Sequence, residues 1–431
     1  MPWLPRPPDP GAHGRSPAVS AADPEGFSAG HRYRGLRGRT VTAAETLERI
    51  TPFLGSFGVT RLADVTGLDH VGIPVVQAVR PNSRSLSVSQ GKGSTLEAAM
   101  VSAAMEAVEF ERAENVDAVV HLASWAQLRS RGAPVVDVDL LARRQGSRFN
   151  EHLRIPWITG TGLISGDEVL VPLEMVDMDM TTPRPYLTGC FYGGSNGLAS
   201  GNCREEAILH GLCEVVERDA NALWWNRPER FPDPTRLDTD SVGDAELVAL
   251  IDHFAAADVG LFIWDMTSDL GVAAFSATAI DESMGVFRKV PVVGGHGCHP
   301  DRGIALRRAV TEVAQARITA ICASRDDISR ASMEKGTDGA ATAALAAHLR
   351  REPRPADFAA VPDHVGSFVE QDLELVLGRI AETGLPEPVM VDLTDSESAI
   401  PVVKVIAPGL EPNPAERTLA GPRLRSILEA G

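Results

Sequence analysis

Gly91-Lys92-Gly93-Ser94-Thr95-Leu96-Glu97-Ala98-Ala99-Met100-Val101-Ser102-Ala103-Ala104-Met105-Glu106-Ala107-Val108-Glu109 reads as a glycine turn followed by a helix carrying two glutamates three residues apart. Gly201-Asn202-Cys203-Arg204-Glu205-Glu206, running into Glu214-Val215-Val216-Glu217-Arg218, repeats the pattern. Residues three or four apart share a helix face. Ser102, Glu106 and Glu109 therefore point one way, and Glu206, His210, Glu214 and Glu217 point together on the second helix. A glutamate pair on a helix is ordinarily a solvated face. Here the flanks oppose that, because Met100, Ala103, Ala104, Ala107 and Val108 leave little of the first helix polar. Ile208, Leu209, Leu212, Val215 and Val216 do the same for the second. A buried carboxylate must be paired or bound to metal. Oxygen-rich sites select Mg2+, which keeps waters and bridges a few carboxylates to substrate phosphates.

A third stretch is similar. Gly294-Gly295-His296-Gly297 precedes Ala305-Leu306-Arg307-Arg308-Ala309-Val310-Thr311-Glu312-Val313-Ala314-Gln315, again a glycine turn and then a helix. Its acid, Glu312, has a polar partner three residues on, Gln315. The three units recur at intervals of about 100 residues, the mark of a weak internal repeat of a sheet-and-helix unit. Similar helices meeting at one centre would enclose a single polar cleft, so the expected fold mixes helices and sheets around it.

Working outward, Thr42 and Glu45 form a capping box for a helix ending near Ile50, just before Pro52. Ser94-Thr95-Leu96-Glu97 is expected to cap the first glutamate helix, and Asn202 with Glu205 the second. A free helix N-terminus beside a glycine turn suits phosphate, and Lys92 sits in the first such turn. Residues 71–79, 169–176, 261–265, 272–279, 389–391 and 402–406 read as strands, with Pro74 and Pro172 disturbing the first two. Residues 1–35 are rich in Pro, Gly, Ser and Arg and read as a disordered or loosely docked tail preceding one domain over 36–431. The Ala-rich, polar stretch 329–357 reads as a helical insertion or lid.

The chain has 431 residues, 44% of them hydrophobic, which is enough to fill a large core. The net charge of −17 argues against nucleic acid or anionic membrane as the main partner. An acidic protein still binds a nucleotide where Mg2+ and local arginines supply the positive field. No apolar run nears the ~20 residues of a membrane span, and prolines replace the apolar core of a signal peptide. A cytoplasmic location is expected. The five cysteines form no C-x2-C pair and read as small buried residues in a reducing compartment. His296 and His299 flank Cys298, but without a second ligand pair they do not make a zinc motif. Lys92 is followed by Gly93, so the turn is no Walker motif. Dinucleotide-binding, nucleophile-elbow and kinase signatures are absent.

With these motifs in place, the chain resembles the YcaO family of ATP-dependent peptide-backbone-modifying enzymes from about Arg39 to about Pro422. Three ordered blocks carry the resemblance: the GKG turn with S-x3-E-x2-E, SNG-x3-GN-x3-E-x7-E-x2-ER, and HPD-x-G-x-AL-x-RA-x2-E-x2-Q-x-R. The resemblance implies a fold with sheets and glutamate helices around a central ATP cleft. It implies Mg2+ ligands at Glu106, Glu109, Glu206, Glu214 and Glu217. It places nucleotide contacts at Ser102, Asn202, Arg218 and Arg308, and at Arg39 with Thr46 seven residues later. Lys92, Glu312 and Gln315 complete the candidate set. No residue identifies itself as the general base.

Family members activate an amide oxygen with ATP, and the nucleophile decides the product. A neighbouring side chain gives an azoline, external sulfide a thioamide, a backbone amine an amidine. The prolines of Ala407-Pro408-Gly409-Leu410-Glu411-Pro412-Asn413-Pro414 are followed by further sequence, unlike the terminal proline-rich tail of many azoline-forming members. Val65-Thr66-Gly67-Leu68-Asp69, Gly72-Ile73-Pro74-Val75-Val76 and Arg80-Pro81-Asn82-Ser83-Arg84 look like the subgroup that works with TfuA-type partners. The resemblance therefore implies thioamide formation on a ribosomal peptide or protein, sulfide from a TfuA-like partner, and a homodimer. An ATP-binding accessory protein without turnover of its own is the reading from another class. A metal hydrolase is disfavoured, since no histidine joins His210 at ligand-pair spacing.

Overall fold

The computed structural model describes residues 30–34, 38–183, 187–228, 233–281, 290, 292–325, 339–412 and 418–430. Residues 31–431 form one compact unit. Residues 1–29, most of the expected tail, lie outside the described residues. The first part of the expected lid, residues 329–338, and the prolines' end at 413–417 lie outside them too.

Helix α1 (Ala43–Ile50) opens on the expected capping box, the Thr42 side chain accepting from Glu45 N at 3.2 Å and the Glu45 carboxylate accepting from Thr42 N at 2.7 Å. Strands β1 (Arg61–Asp64), β2 (Val75–Val79) and β3 (Val88–Lys92) make an antiparallel sheet in that order, and α2 (Leu96–Glu114) packs on it. After β4 (His121–Ser124), α3 (Trp125–Ser130), β5 (Arg154–Gly162), β6 (Glu168–Pro172) and β7 (Leu198–Ser200) comes the second glutamate helix, α4 (Arg204–Asn226). Helix α5 (Ala245–Ala256) leads into β8 (Val259–Asp265), β9 (Ala274–Asp281) and β10 (Val293–Cys298), a second three-stranded sheet covered by α6 (Arg302–Cys322). Two βββα units thus share one topology. The third helix, α4, packs instead on β7 and on β12 (Val402–Ile406) of a sheet ordered β4-β5-β11-β12-β7, where β11 is Val389–Asp392 and β6 pairs with β5. Every described strand pair is antiparallel, and the fold is mixed α+β.

Several sequence expectations need correction. Strand β2 begins only after Pro74, and β6 stops at Pro172, where the chain turns into a 3-10 helix over Leu173–Met175. Proline lacks the N–H that would extend either ladder. The first glutamate helix is capped by Thr95, which accepts from Ala98 N, and not by Ser94. The second starts at Cys203 without a side-chain cap; Glu206 reaches back to Asn202 N at 2.7 Å. The glycine motifs are not turns in the first and third cases. Gly91 lies in β3 and Gly295 and Gly297 in β10. A Cβ on Gly91 would stand 2.0 Å from Ala103 N, and one on Gly297 2.1 Å from Ala305 O. These glycines let a strand lie directly against a helix backbone.

Arg317 of α6 is fully buried and bonds Asp69 at 2.7 and 2.9 Å and Asp281 of β9 at 3.1 Å. Arg80, also buried, donates to Glu114 of α2 at 2.7 Å. The segment around residues 65–84 is thereby tied to both helices. Helix α7 (Gly339–Arg351) packs Ala346 and Leu349 against Phe262, Trp264 and Ile280. Helix α8 (Val369–Glu382) covers α4. Helix α9 (Pro422–Ala430) is latched to α4, with Arg423 donating to the buried Asp219 at 3.0 and 3.1 Å.

Candidate functional site

Close strand–helix packing turns the polar faces of α2, α4 and α6 towards one cavity of about 990 Å3. Glu106 and Glu109 line it from α2, Glu214 and Glu217 from α4, and Glu312 and Gln315 from α6. Ser102, Asn202, Arg218 and Arg308 line it as well, and Lys92 enters from the end of β3. Arg39 and Thr46 close one side, with Thr46 Oγ1 donating to Asn202 Oδ1 at 2.9 Å. Glu206 alone of the sequence candidates does not line the cavity. Its buried carboxylate accepts from Asn202 N at 2.7 Å and from Thr40 Oγ1 at 3.3 Å, and lies 3.5 Å from Arg39 Nη1. There it orients Asn202 and Arg39.

Charge is crowded in the cavity. Burial pushes Glu106 up to about 7, although Arg325 and Lys92 pull it back. Burial lifts Glu109 up to about 8, against the bonds it accepts from Ser200 N at 2.8 Å and Ser200 Oγ. Glu217 rises to about 7 through burial, opposed by Arg218 and reinforced by Glu312 and Glu214. Glu214 is raised by burial too. Arg218 bridges the two at 3.0 Å to Glu217 and 3.5 Å to Glu214. Burial alone would raise Glu312, but the charges of Lys92 and Arg218 hold it down at about 2. Lys92 Nζ is 2.6 Å from the Glu312 carboxylate.

Four carboxylates raised by burial and mutual repulsion form a site that divalent cations would relieve. The facing cations are of the kind that bind phosphate, Arg308 through a fork whose Nη1 is anchored on Cys298 O at 3.1 Å. Carboxylate oxygens interleaved with guanidinium and ammonium groups fit a magnesium nucleotide.

Sequence reasoning missed other residues here. His296 lines the cavity, and burial with Arg218 and Lys92 drives it down to about 4, so it is neutral. Its Nδ1 is buried without a hydrogen-bond partner among the described residues, as is that of His210. His299 is taken up structurally, its Nδ1 accepting from Asp301 N at 3.0 Å. Thr311 and Thr319 also line the cavity, and Thr319 Oγ1 bonds the Gln90 side chain. Their spacing of four from Gln315 places all three on one helix face, a signal readable in the sequence. Arg49, one turn beyond Thr46, donates to Asn202 O at 3.0 Å.

Comparison with known proteins places this geometry in context. The sequence signature of the YcaO cyclodehydratase family, described as ATP- and Mg2+-binding, matches residues 90–411. An uncharacterized protein in the tfuA 3′ region of Rhizobium leguminosarum bv. trifolii is 40% identical over 377 residues, covering 86% of this chain and 88% of that protein. An uncharacterized Mycobacterium tuberculosis protein is 37% identical over 403 residues, covering 92% of this chain and 86% of that one. Among solved structures, YcaO from Methanopyrus kandleri bound with AMPPCP and Mg2+ superposes with a TM-score of 0.69 at 25% identity, covering 88% of this chain and 95% of that one. A heterocyclase in complex with substrate and cofactor gives 0.73 at 24% identity; 90% of this chain is covered, and it spans 55% of the heterocyclase.

Proposed function

Because the chain belongs to the YcaO cyclodehydratase family, whose members bind ATP and Mg2+, we propose that it converts a backbone amide of a ribosomally made peptide or protein to a thioamide, taking sulfide through a TfuA-like partner. The observation that carries the product is the 40% identity to a protein encoded in a tfuA 3′ region. Glu106, Glu109, Glu214 and Glu217 are assigned to Mg2+, with Glu206 behind them holding Asn202 and Arg39. Lys92, Arg218 and Arg308 are assigned to the phosphates, with Ser102, Asn202, Arg39 and Thr46 as further nucleotide contacts. Glu312 and Gln315 sit at the junction of the two groups.

Bound magnesium ATP supplies the phosphoryl group that makes an amide oxygen able to leave. The chain's own residues position and neutralise. Arg218, braced by Glu214 and Glu217, presents a fixed positive charge that cannot be lost at any working pH. Arg308 holds one arm on Cys298 O and can turn the other to a phosphate oxygen. Neutral His296 and His210 each offer one unprotonated imidazole nitrogen, the other ring nitrogen keeping its hydrogen, at neutral pH.

Incubation with a candidate peptide, ATP, sulfide and a TfuA-type protein tests the reading by mass spectrometry and ADP release. Oxygen-to-sulfur exchange coupled to phosphoryl transfer adds about 16 Da, whereas azoline formation removes about 18 Da. The fold shared with the heterocyclase makes azoline formation the second reading, and loss of water without added sulfide would establish it. Nucleotide binding with no ADP release under any of these conditions would mark an accessory protein. A homodimer is the expected assembly, to be checked by light scattering.

A further inference from the structure

Outside the cavity, three metal-ligating side chains from distant parts of the sequence converge. His31 Nδ1, Cys203 Sγ and a Glu205 carboxylate oxygen all lie within 4.8 Å of one another. None of the three lines the nucleotide cavity. His31 Nδ1 is 3.4 Å from Glu205 Oε2 and 2.7 Å from Glu370 Oε1, which puts a fourth donor at the edge of the cluster. The group is built rather than fortuitous. His31 O accepts from Val369 N at 3.0 Å, Tyr33 N donates to Ser367 O at 3.1 Å, and His31 N donates to the Glu370 carboxylate at 2.9 and 3.0 Å. The imidazole is thereby fixed over the start of α8. Cys203 occupies the N-cap of α4, and its sulfur, beside the Glu206 N–H, meets the Glu205 carboxylate and His31 in the cluster.

We propose that this cluster is a second metal site, selective for Zn2+, that ties residues 31–33 to the starts of α4 and α8. Imidazole nitrogen, thiolate sulfur and a carboxylate oxygen form a borderline-to-soft donor set, unlike the all-oxygen ligands of the cavity. Tetrahedral zinc with bonds of about 2.0–2.3 Å sets its donors about 3.3–3.8 Å apart. The His31–Glu205 separation of 3.4 Å already meets this, and the other donors, all within 4.8 Å of one another, need to shift by no more than about 1 Å to 1.5 Å to reach it. On binding, the thiol proton of Cys203 passes to water and the His31–Glu370 hydrogen bond gives way to coordination through Nδ1, with no change of oxidation state. Glu370 or a water takes the fourth position. His31 is exposed, so the ion enters from solvent. Asn202 and Glu206 flank the ligands in sequence, which puts the metal beside the nucleotide end of α4.

Titration of the full chain with Co2+ in the presence of excess Mg2+ tests this. Wild type should take up one Co2+ with a thiolate-to-cobalt charge-transfer band and tetrahedral ligand-field bands, and Zn2+ should displace it. Cys203→Ser should lose the band and bind Zn2+ at least about tenfold more weakly, while Cys322→Ser keeps both. His31→Ala changes an exposed side chain and should stay folded with a similar loss of affinity. A thiolate band that persists in Cys203→Ser, or equal Zn2+ affinity in folded His31→Ala and wild type, overturns the proposal. Displacement of the thiolate-bound cobalt by Mg2+ also overturns it. None of these readouts depends on which amide product the protein makes.

Discussion

Arg308 shows how a single side chain can divide its labour. One guanidinium nitrogen is spent on the carbonyl of Cys298, which fixes the plane of the fork while the rest faces the cavity. Lysine has no second arm, so Arg308→Lys should leave the circular dichroism spectrum unchanged and lower ATP turnover by about 100-fold. Unchanged turnover would remove Arg308 from the phosphate site. The glutamates make a prediction about pH. Burial raises Glu106 to about 7 and Glu109 to about 8 from an ordinary 4.5. A group with a raised native pKa stabilises the fold less as it ionises, so the metal-free protein should lose stability as pH climbs from about 5 to about 8. Mg2+ offsets that charge. The Mg2+-induced rise in Tm should therefore be small at about pH 5 and largest above about pH 8, read by scanning fluorimetry. A rise that does not vary with pH would mean the carboxylates do not hold the ion.

At the scale of elements, the glycines of β3 and β10 decide how close strand and helix can come. Gly91→Ala places a methyl 2.0 Å from Ala103 N and should cost about 3 kcal/mol in urea unfolding. Gly378→Ala, mid-helix in α8 with open space around it, should instead stabilise by about 0.5 kcal/mol. The contrast also explains what the sequence could and could not disclose. The Thr42–Glu45 capping box was legible because both partners lie within one turn. Gly91 and Gly297 read equally well as turn residues, since the backbone that demands them, at Ala103 and Ala305 in the following helices, meets them only once each helix folds back on its strand. Strand β10 escaped notice because four of its six residues are Gly or His, and β5 because Pro156 and Gly160 interrupt its pattern. Helical spacing correctly gathered Glu214 and Glu217 on the cavity face. It could not tell that Glu206, in the first turn, would reach back to an N–H of the preceding loop.

For the whole molecule, the buried Arg317 joins the segment before β2 to β9 through α6. Arg317→Ala leaves Asp69 and Asp281 buried without their shared guanidinium and should destabilise by about 3–5 kcal/mol, seen as a lower urea midpoint. The two βββα units meet at the cavity through Lys92 of the first and Glu312 of the second. That contact has a thermodynamic consequence. Magnesium that draws on the junction carboxylate Glu312 parts the pair, and nucleotide that draws on Lys92 parts it too. Arriving together, they meet that cost once. The two ligands should therefore bind with positive heterotropic linkage, each tightening the other by about tenfold. The Lys92→Met, Glu312→Gln double variant should bind both more weakly and lose the interdependence, leaving isotherms for one ligand that no longer shift with the other.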